Sequence, residues 1–207
     1  MLAIFDMDGT LTQSSTLLAN SINYVRGKLG LEPLDKDYII EQINHPDSNM
    51  PMVFYNLEEI EPIHEEWFSQ YYSRNHTLEQ EAFCGVEEML KRLKSLGIKL
   101  AIATNAYRAS ALETLTHLGI IDYFDEIIGF DDVEEGKPSP QMLLELLDRF
   151  DLPNSRAIFI GDSQRDELAA KSAGVEFIKV AFSGNSESDL RDIDTIGRKI
   201  EEYFCII

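Results

Sequence analysis

Hydrophobic positions along the chain follow two different rhythms. From about Glu87 to Val180, amphipathic helical stretches alternate with short continuous apolar runs. Glu87 to Leu96 has helical spacing and stops at Gly97, and Ile98 to Ala103 follows as a buried strand. Arg108 to Leu118 is again helical and again stops at a glycine, Gly119. Glu126 to Gly129 predicts a short strand, Gln141 to Phe150 a helix, and Ala157 to Ile160 a strand. Asp166 to Ala173 predicts a helix ended by Gly174, and Phe177 to Val180 a further strand. Met1 to Phe5 adds a strand at the start, and Asp189 to Tyr203 a closing amphipathic helix. Strands joined by helical crossovers pair in parallel and carry helices on both faces. The pattern therefore predicts a doubly wound α/β parallel sheet with a Rossmann-like core.

The stretch from about Ser14 to Glu81 breaks this rhythm. Helical spacing occurs at Thr16 to Leu29, Asp37 to Asn44 and Pro62 to Ser73, with no convincing strand between them. Loop residues separate the helices at Gly30 to Pro33 and His45 to Pro51. An all-helical block directly after the first strand predicts a helical cap over residues 14–81, inserted into a core made of residues 1–13 and 82–207.

Charge narrows the partners. The 207 residues include 18 Lys plus Arg and 37 Asp plus Glu, a formal net charge of −19. Such a surface repels phosphate backbones and anionic headgroups, so nucleic acid and membranes are expected to be poor partners. An anionic substrate would need a local cation to approach. The two cysteines, Cys84 and Cys205, make no disulfide framework and suggest a reducing, cytoplasmic setting. Cys205 stands third from the end, where a prenylation signal needs it fourth. The start of the chain runs straight from an apolar strand into Asp6, without the basic region of a leader. Nothing in the sequence bears on oligomeric state.

In open α/β sheets, ligands bind beyond the carboxyl ends of the strands. The residues at those ends are Asp6-Met7-Asp8-Gly9-Thr10, then Thr104-Asn105, then Gly136-Lys137-Pro138, then Gly161-Asp162-Ser163 with Asp166 beyond. Each group alone has a plain structural explanation. Asp6 and Asp8 fit a turn, Thr104 and Asp162 fit helix N-caps, and Gly136 to Pro138 fits a surface turn. Together they form a coherent kit for phosphoryl transfer. Asp6 and Asp8, two apart, project to one side while the chain stays extended. Four converging carboxylates, with Asp162 and Asp166, are untenable without a cation, and Mg²⁺ suits an all-oxygen donor set. Lys137 would hold further negative charge, and Thr104 with main-chain N–H groups could bind phosphate oxygens. Asp6 could attack phosphorus to form an aspartyl phosphate. Asp8 could protonate the leaving alcohol and later deprotonate water.

These four motifs, in this order, resemble the signature motifs of the haloacid dehalogenase superfamily, and the match runs from Leu2 to about Val180. The resemblance implies Asp6 as nucleophile and Asp8 as acid/base. It implies Mg²⁺ held by Asp6, the Asp8 carbonyl and Asp162, with Asp166 supporting the metal shell. It assigns phosphate contacts to Thr104, Asn105 and Lys137. The helical insertion is similar to the cap of the phosphoglycolate phosphatase-like subgroup, with hinges near Leu11 to Ser15 and Phe83 to Gly85. The expected activity is hydrolysis of a small phosphorylated metabolite. Dehalogenases and phosphonatases lack an equivalent of Asp8, whereas sugar phosphomutases keep it and stay open as an alternative. A phospho-accepting receiver domain would need no helical insertion and would place its acceptor elsewhere than after the first strand.

Other polar residues invite weaker expectations. The His45 to Pro51 loop, Arg74 and His76 could touch a substrate but fit ordinary surface roles. Arg108 and Arg165 are expected on exposed faces, Cys84 in the core or hinge, and Trp67 with Phe68 on the cap's apolar face.

Overall fold

The computed structural model describes residues 1–181 and 186–204, with the side chains of residue 77 and residues 186–191 left aside. Cys205 therefore lies outside the described residues. The chain divides into two compact units, Met1–Gln13 with Ala82–Ile207, and Ser14–Glu81.

The first unit is built on a five-stranded sheet. Its strands are β1 (Leu2–Phe5), β4 (Lys99–Ala103), β5 (Glu126–Ile128), β6 (Ala157–Gly161) and β7 (Glu176–Lys179), in the spatial order β5-β4-β1-β6-β7. Every pairing is parallel, with Phe5 opposite Ile102 on one side and Ile160 on the other. The chain winds outward from β1 to β5 and then returns to add β6 and β7 on the other side. The order thus reverses between β1 and β6, the position in open α/β sheets beyond whose carboxyl ends ligands bind.

Alternation along the strands decides which face each helix covers. Ala3 and Phe5 point into one layer with α5 (Val86–Ser95), α6 (Arg108–His117) and α9 (Ser186–Tyr203), whose Leu90, Leu93, Leu115, Ile196 and Ile200 are buried there. Leu2 and Ile4 point the other way, against Met142, Leu143 and Leu146 of α7 (Gln141–Arg149) and Ala169 and Ala170 of α8 (Gln164–Ala173). Phe5 and Phe159 are fully buried, and each such side chain contributes roughly 1.5–3 kcal/mol by leaving water. Helix α8 ends where Gly174 takes a left-handed conformation at φ 66°, as the glycine stop in the sequence predicts.

The second unit is helical: α1 (Ser15–Lys28), α2 (Lys36–Asn44), α3 (Met50–Tyr55) and α4 (Pro62–Glu79). Ala19, Ile22, Val25, Ile39 and Phe54 form its core, with Trp67 and Phe68 packed against them. Two elements depart from expectation. Helix α3 occupies part of the span read as a loop, because Pro51 sits in the first turn, where a missing N–H costs nothing, and Asn49 caps the Met52 N–H at 3.3 Å. Helix α4 runs past Ser73 to Glu79, where Tyr71 Oη and Asn20 Nδ2 donate to the Glu79 carboxylate at 3.0 and 2.9 Å. Two short strands, β2 (Thr12–Gln13) and β3 (Glu81–Ala82), pair as a separate two-stranded sheet. Among the described residues, no helix is long and apolar enough to cross a membrane.

Candidate active site

Asp6 follows β1 directly, and its N–H still donates to Ile160 O of β6 at 2.8 Å, which fixes its backbone at the point where strand order reverses. Asp162 follows β6, and Asp166 lies in the first turn of α8. Carboxylate oxygens of Asp6, Asp162 and Asp166 all lie within 4.8 Å of one another. Lys137 reaches into this group from the loop before α7. Its Nζ stands 2.5 Å from Asp6 Oδ1 and 2.6 Å from Asp166 Oδ1, and its side chain is only 4% exposed. The same ammonium lies 5.4 Å from the centre of the Phe159 ring, a favourable cation–π approach.

One ammonium among three carboxylates leaves two negative charges uncompensated in a buried place. Burial pushes the Asp6 carboxyl well above its ordinary range; Lys137 opposes this, while Asp166 and Asp162 add to it. Burial likewise raises Asp162, to about 7, with Asp166 adding to the shift and Lys137 countering it. Burial alone would lower Lys137, but Asp166 and Asp6 outweigh it and hold the amine protonated. A buried set of carboxylate oxygens that resists its own charge fits a hard, oxygen-seeking divalent cation.

Local hydrogen bonds aim these groups. Thr10 Oγ1 lies 3.4 Å from Asp6 Oδ2 and 3.5 Å from Asp162 Oδ1, bridging the ends of β1 and β6. Ser163, the N-cap of α8, forms a capping box with Asp166. Its N–H and Oγ–H donate to Asp166 Oδ2 at 3.0 and 2.6 Å, and Asp166 N–H donates back to Ser163 Oγ at 3.2 Å. Asp166 thereby presents Oδ1 to Lys137 with its other oxygen already satisfied. Gly161 leaves room for this, since a Cβ there would fall 2.6 Å from the Asp166 Cβ.

A family model described as haloacid dehalogenase-like hydrolase matches residues 3–180. Pyrophosphatase PpaX of Halalkalibacterium halodurans is 31% identical over 200 residues, spanning 92% of this chain and 88% of that protein. Phosphoglycolate phosphatase of Neisseria meningitidis is 32% identical, over 86% of this chain and 79% of its own length. The crystal structure of a predicted phosphatase from Clostridium acetobutylicum superposes with a TM-score of 0.80 at 26% identity, covering 97% of this chain and 98% of that one. The chain belongs to the haloacid dehalogenase-like hydrolases.

In this haloacid dehalogenase-like hydrolase, Asp6, Lys137, Asp162 and Asp166 come together as one cluster, and the charge of Asp8 is near enough to add to the upward shift of Asp162. The strand ends at Phe5, Asp8 forms a β-bridge with Thr12, and the chain turns only after it, through Gly9 at φ 83°. The Asp8 carboxylate accepts from Thr12 Oγ1 at 3.5 Å. Thr104 is 1% exposed after β4, and its Oγ1 accepts the Ala106 N–H at 3.1 Å, so the hydroxyl keeps its proton for donation. Neither Thr104 nor Asp162 is an N-cap: Tyr107 precedes α6, and Ser163 caps α8. The Ser163-x-x-Asp166 spacing carried that signal in the sequence. The Asn105 amide is engaged by Lys137, whose N–H donates to Asn105 Oδ1 at 2.8 Å and whose carbonyl accepts from Nδ2 at 2.9 Å. Arg108 is not simply on a solvated face: its guanidinium donates to Ile127 O and meets Asp132 at 3.2 Å. Arg165 is half-buried, and Cys84 is exposed rather than part of the core. Arg74 and His76 lie on the last turns of α4, in the helical unit.

Proposed function

We propose that this chain is a Mg²⁺-dependent phosphatase of a small phosphorylated metabolite, working through an aspartyl phosphate on Asp6. The observation that carries the reading is the Asp6 carboxylate, buried at the sheet's switch point and hydrogen-bonded to Lys137 among further carboxylate oxygens. That arrangement holds a nucleophile in one orientation and gives an anionic phosphoryl group a cationic neighbour.

The Asp6, Asp162 and Asp166 carboxylates would hold the Mg²⁺, with the Asp8 carbonyl that the family motif adds. When bound, the cation neutralises charge on the phosphoryl oxygens. In the first step a carboxylate oxygen of Asp6 attacks phosphorus, and the bond from phosphorus to the leaving oxygen breaks. Asp8 gives its proton to that oxygen, releasing the alcohol. In the second step Asp8 takes a proton from water as the water oxygen attacks the phosphorus, which returns the Asp6 carboxylate and releases inorganic phosphate. Lys137, the Thr104 hydroxyl and the main-chain N–H of Asn105 bind the phosphoryl oxygens throughout.

The test is turnover of p-nitrophenyl phosphate, phosphoglycolate and pyrophosphate by the purified protein with and without Mg²⁺. Release of inorganic phosphate should require the metal, and activity surviving exhaustive chelation overturns the mechanism. Asp6→Asn should lower kcat by about three orders of magnitude or more while the circular dichroism spectrum stays unchanged. Near-normal turnover by that variant removes Asp6 as nucleophile. Conversion of a sugar phosphate to its isomer without phosphate release assigns the same site to a phosphomutase.

A further inference from the structure

We infer that the side chain of Asn105 is a positioning device for Lys137, not a ligand of the phosphoryl group. Asn105 sits on the loop after β4, 32 positions before Lys137. Its Oδ1 accepts the Lys137 N–H at 2.8 Å, and its Nδ2 donates to the Lys137 carbonyl at 2.9 Å. Both main-chain groups of one residue are thus paired by a single carboxamide. This is the exchange of two bonds that a hydrogen-bonded pair in an antiparallel ladder makes, here supplied by a side chain.

Such a tether matters because of what Lys137 must do. A lysine stem has four rotatable carbons, so the place of the ammonium depends on where the main chain is pinned. Nζ has to meet Asp6 on one element and Asp166 on another, at 2.5 and 2.6 Å. The loop carrying Lys137 is not a strand or helix, and the other main-chain bonds beside it are local ones, Ser139 N–H to Gly136 O at 3.0 Å and Glu135 N–H to Gln141 Oε1 at 2.9 Å. The Asn105 amide ties that loop to the end of β4, and so to the sheet that carries Asp6.

Gly136 independently fits the same contact. A Cβ at this position would fall 2.7 Å from Asn105 Oδ1 and 2.7 Å from Phe130 Cδ2. The residue before Lys137 therefore has no side chain exactly where the amide needs to approach. Asn105 acts on the reaction through Lys137, and the phosphate contact of this loop falls to its main chain.

The kinetic part of this inference rests on the phosphatase reading, but its primary test does not. Amine acylation read by mass spectrometry should leave Lys137 protected in the native protein, its side chain being 4% exposed and paired with two carboxylates. Asn105→Ala should raise labelling at Lys137 about tenfold while labelling at Lys91 and Lys171 stays unchanged. Gly136→Ala, which pushes the amide away without removing it, should give the same site-specific gain and stands in if Asn105→Ala fails to fold. Lys137 staying protected in the folded variants overturns the inference. A second arm measures inorganic phosphate affinity in a Lys137→Met background. Adding Asn105→Ala there should change the affinity less than twofold, whereas a further loss of about tenfold makes Asn105 a phosphate ligand. Absence of any phosphatase activity in the wild-type protein overturns the proposed function and leaves the labelling result to decide the tether.

Discussion

Gly9 lies directly against Asp162, so that a Cβ built on the glycine would fall 2.5 Å from Asp162 Oδ2 and 2.8 Å from its Cγ. The backbone there is also left-handed, at φ 83°, a conformation that glycine adopts far more readily than other residues. Gly9→Ala therefore carries two penalties, strain in the turn and displacement of one carboxylate of the proposed metal set. The strain should cost about 1–2 kcal/mol in urea unfolding. The displacement should appear separately, as an increase of about tenfold or more in the Mg²⁺ concentration needed for half-maximal activity. Unchanged Mg²⁺ dependence, with only the stability loss, would mean that Asp162 does not hold the metal.

Lys137 connects stability to chemistry at the same place. Its ammonium is nearly inaccessible and pairs with Asp6 and Asp166. Lys137→Met keeps the apolar stem and removes the charge, which leaves buried carboxylates facing one another. Breaking a buried pair in this way should cost about 3 kcal/mol, measured by urea denaturation at neutral pH in the presence of a chelator. Added Mg²⁺ should recover part of that loss, because a cation among the remaining carboxylates relieves the same repulsion. A variant as stable as the parent in chelator would show that the pair contributes little.

Much of the sheet was legible because its strands are short apolar runs and its helices end at glycines such as Gly97, Gly119 and Gly174. The clustering of Asp6, Lys137, Asp162 and Asp166 followed from parallel topology, which sends successive strand ends to one rim. Less legible features depended on tertiary partners or on position within a turn. Pro51 reads as a breaker until the chain is seen to place it in the first turn of α3. The end of α4 is supported by Asn20, contributed by a different helix. The tie from the Asn105 carboxamide meets only main-chain atoms of Lys137, so the identity of the lysine does not advertise it.

Asp125 gives a pH prediction away from the Asp6, Asp162 and Asp166 cluster. Its carboxylate accepts from Lys94 Nζ at 2.8 Å, from Lys99 Nζ at 3.0 Å and from Leu100 N–H at 3.0 Å, tying α5, β4 and the approach to β5 together. Burial would raise this carboxyl, but Lys94, the Leu100 N–H and Lys99 together outweigh it and hold it below its ordinary value of 3.8. A carboxyl with a depressed pKa in the folded state contributes stability that is fully present above 3.8 and is lost as the pH falls through the folded value. The lysines are partly exposed, so solvent and salt screen the contribution to about 1 kcal/mol. Asp125→Asn should therefore be less stable than the parent by about 1 kcal/mol in urea unfolding at about pH 7, with a smaller gap in high salt. The gap should narrow as the pH falls below 3.8 and through the lower folded value, because the parent then loses the charge that the variant already lacks. A gap that holds constant across that interval would assign the effect to packing rather than to the ionised carboxylate.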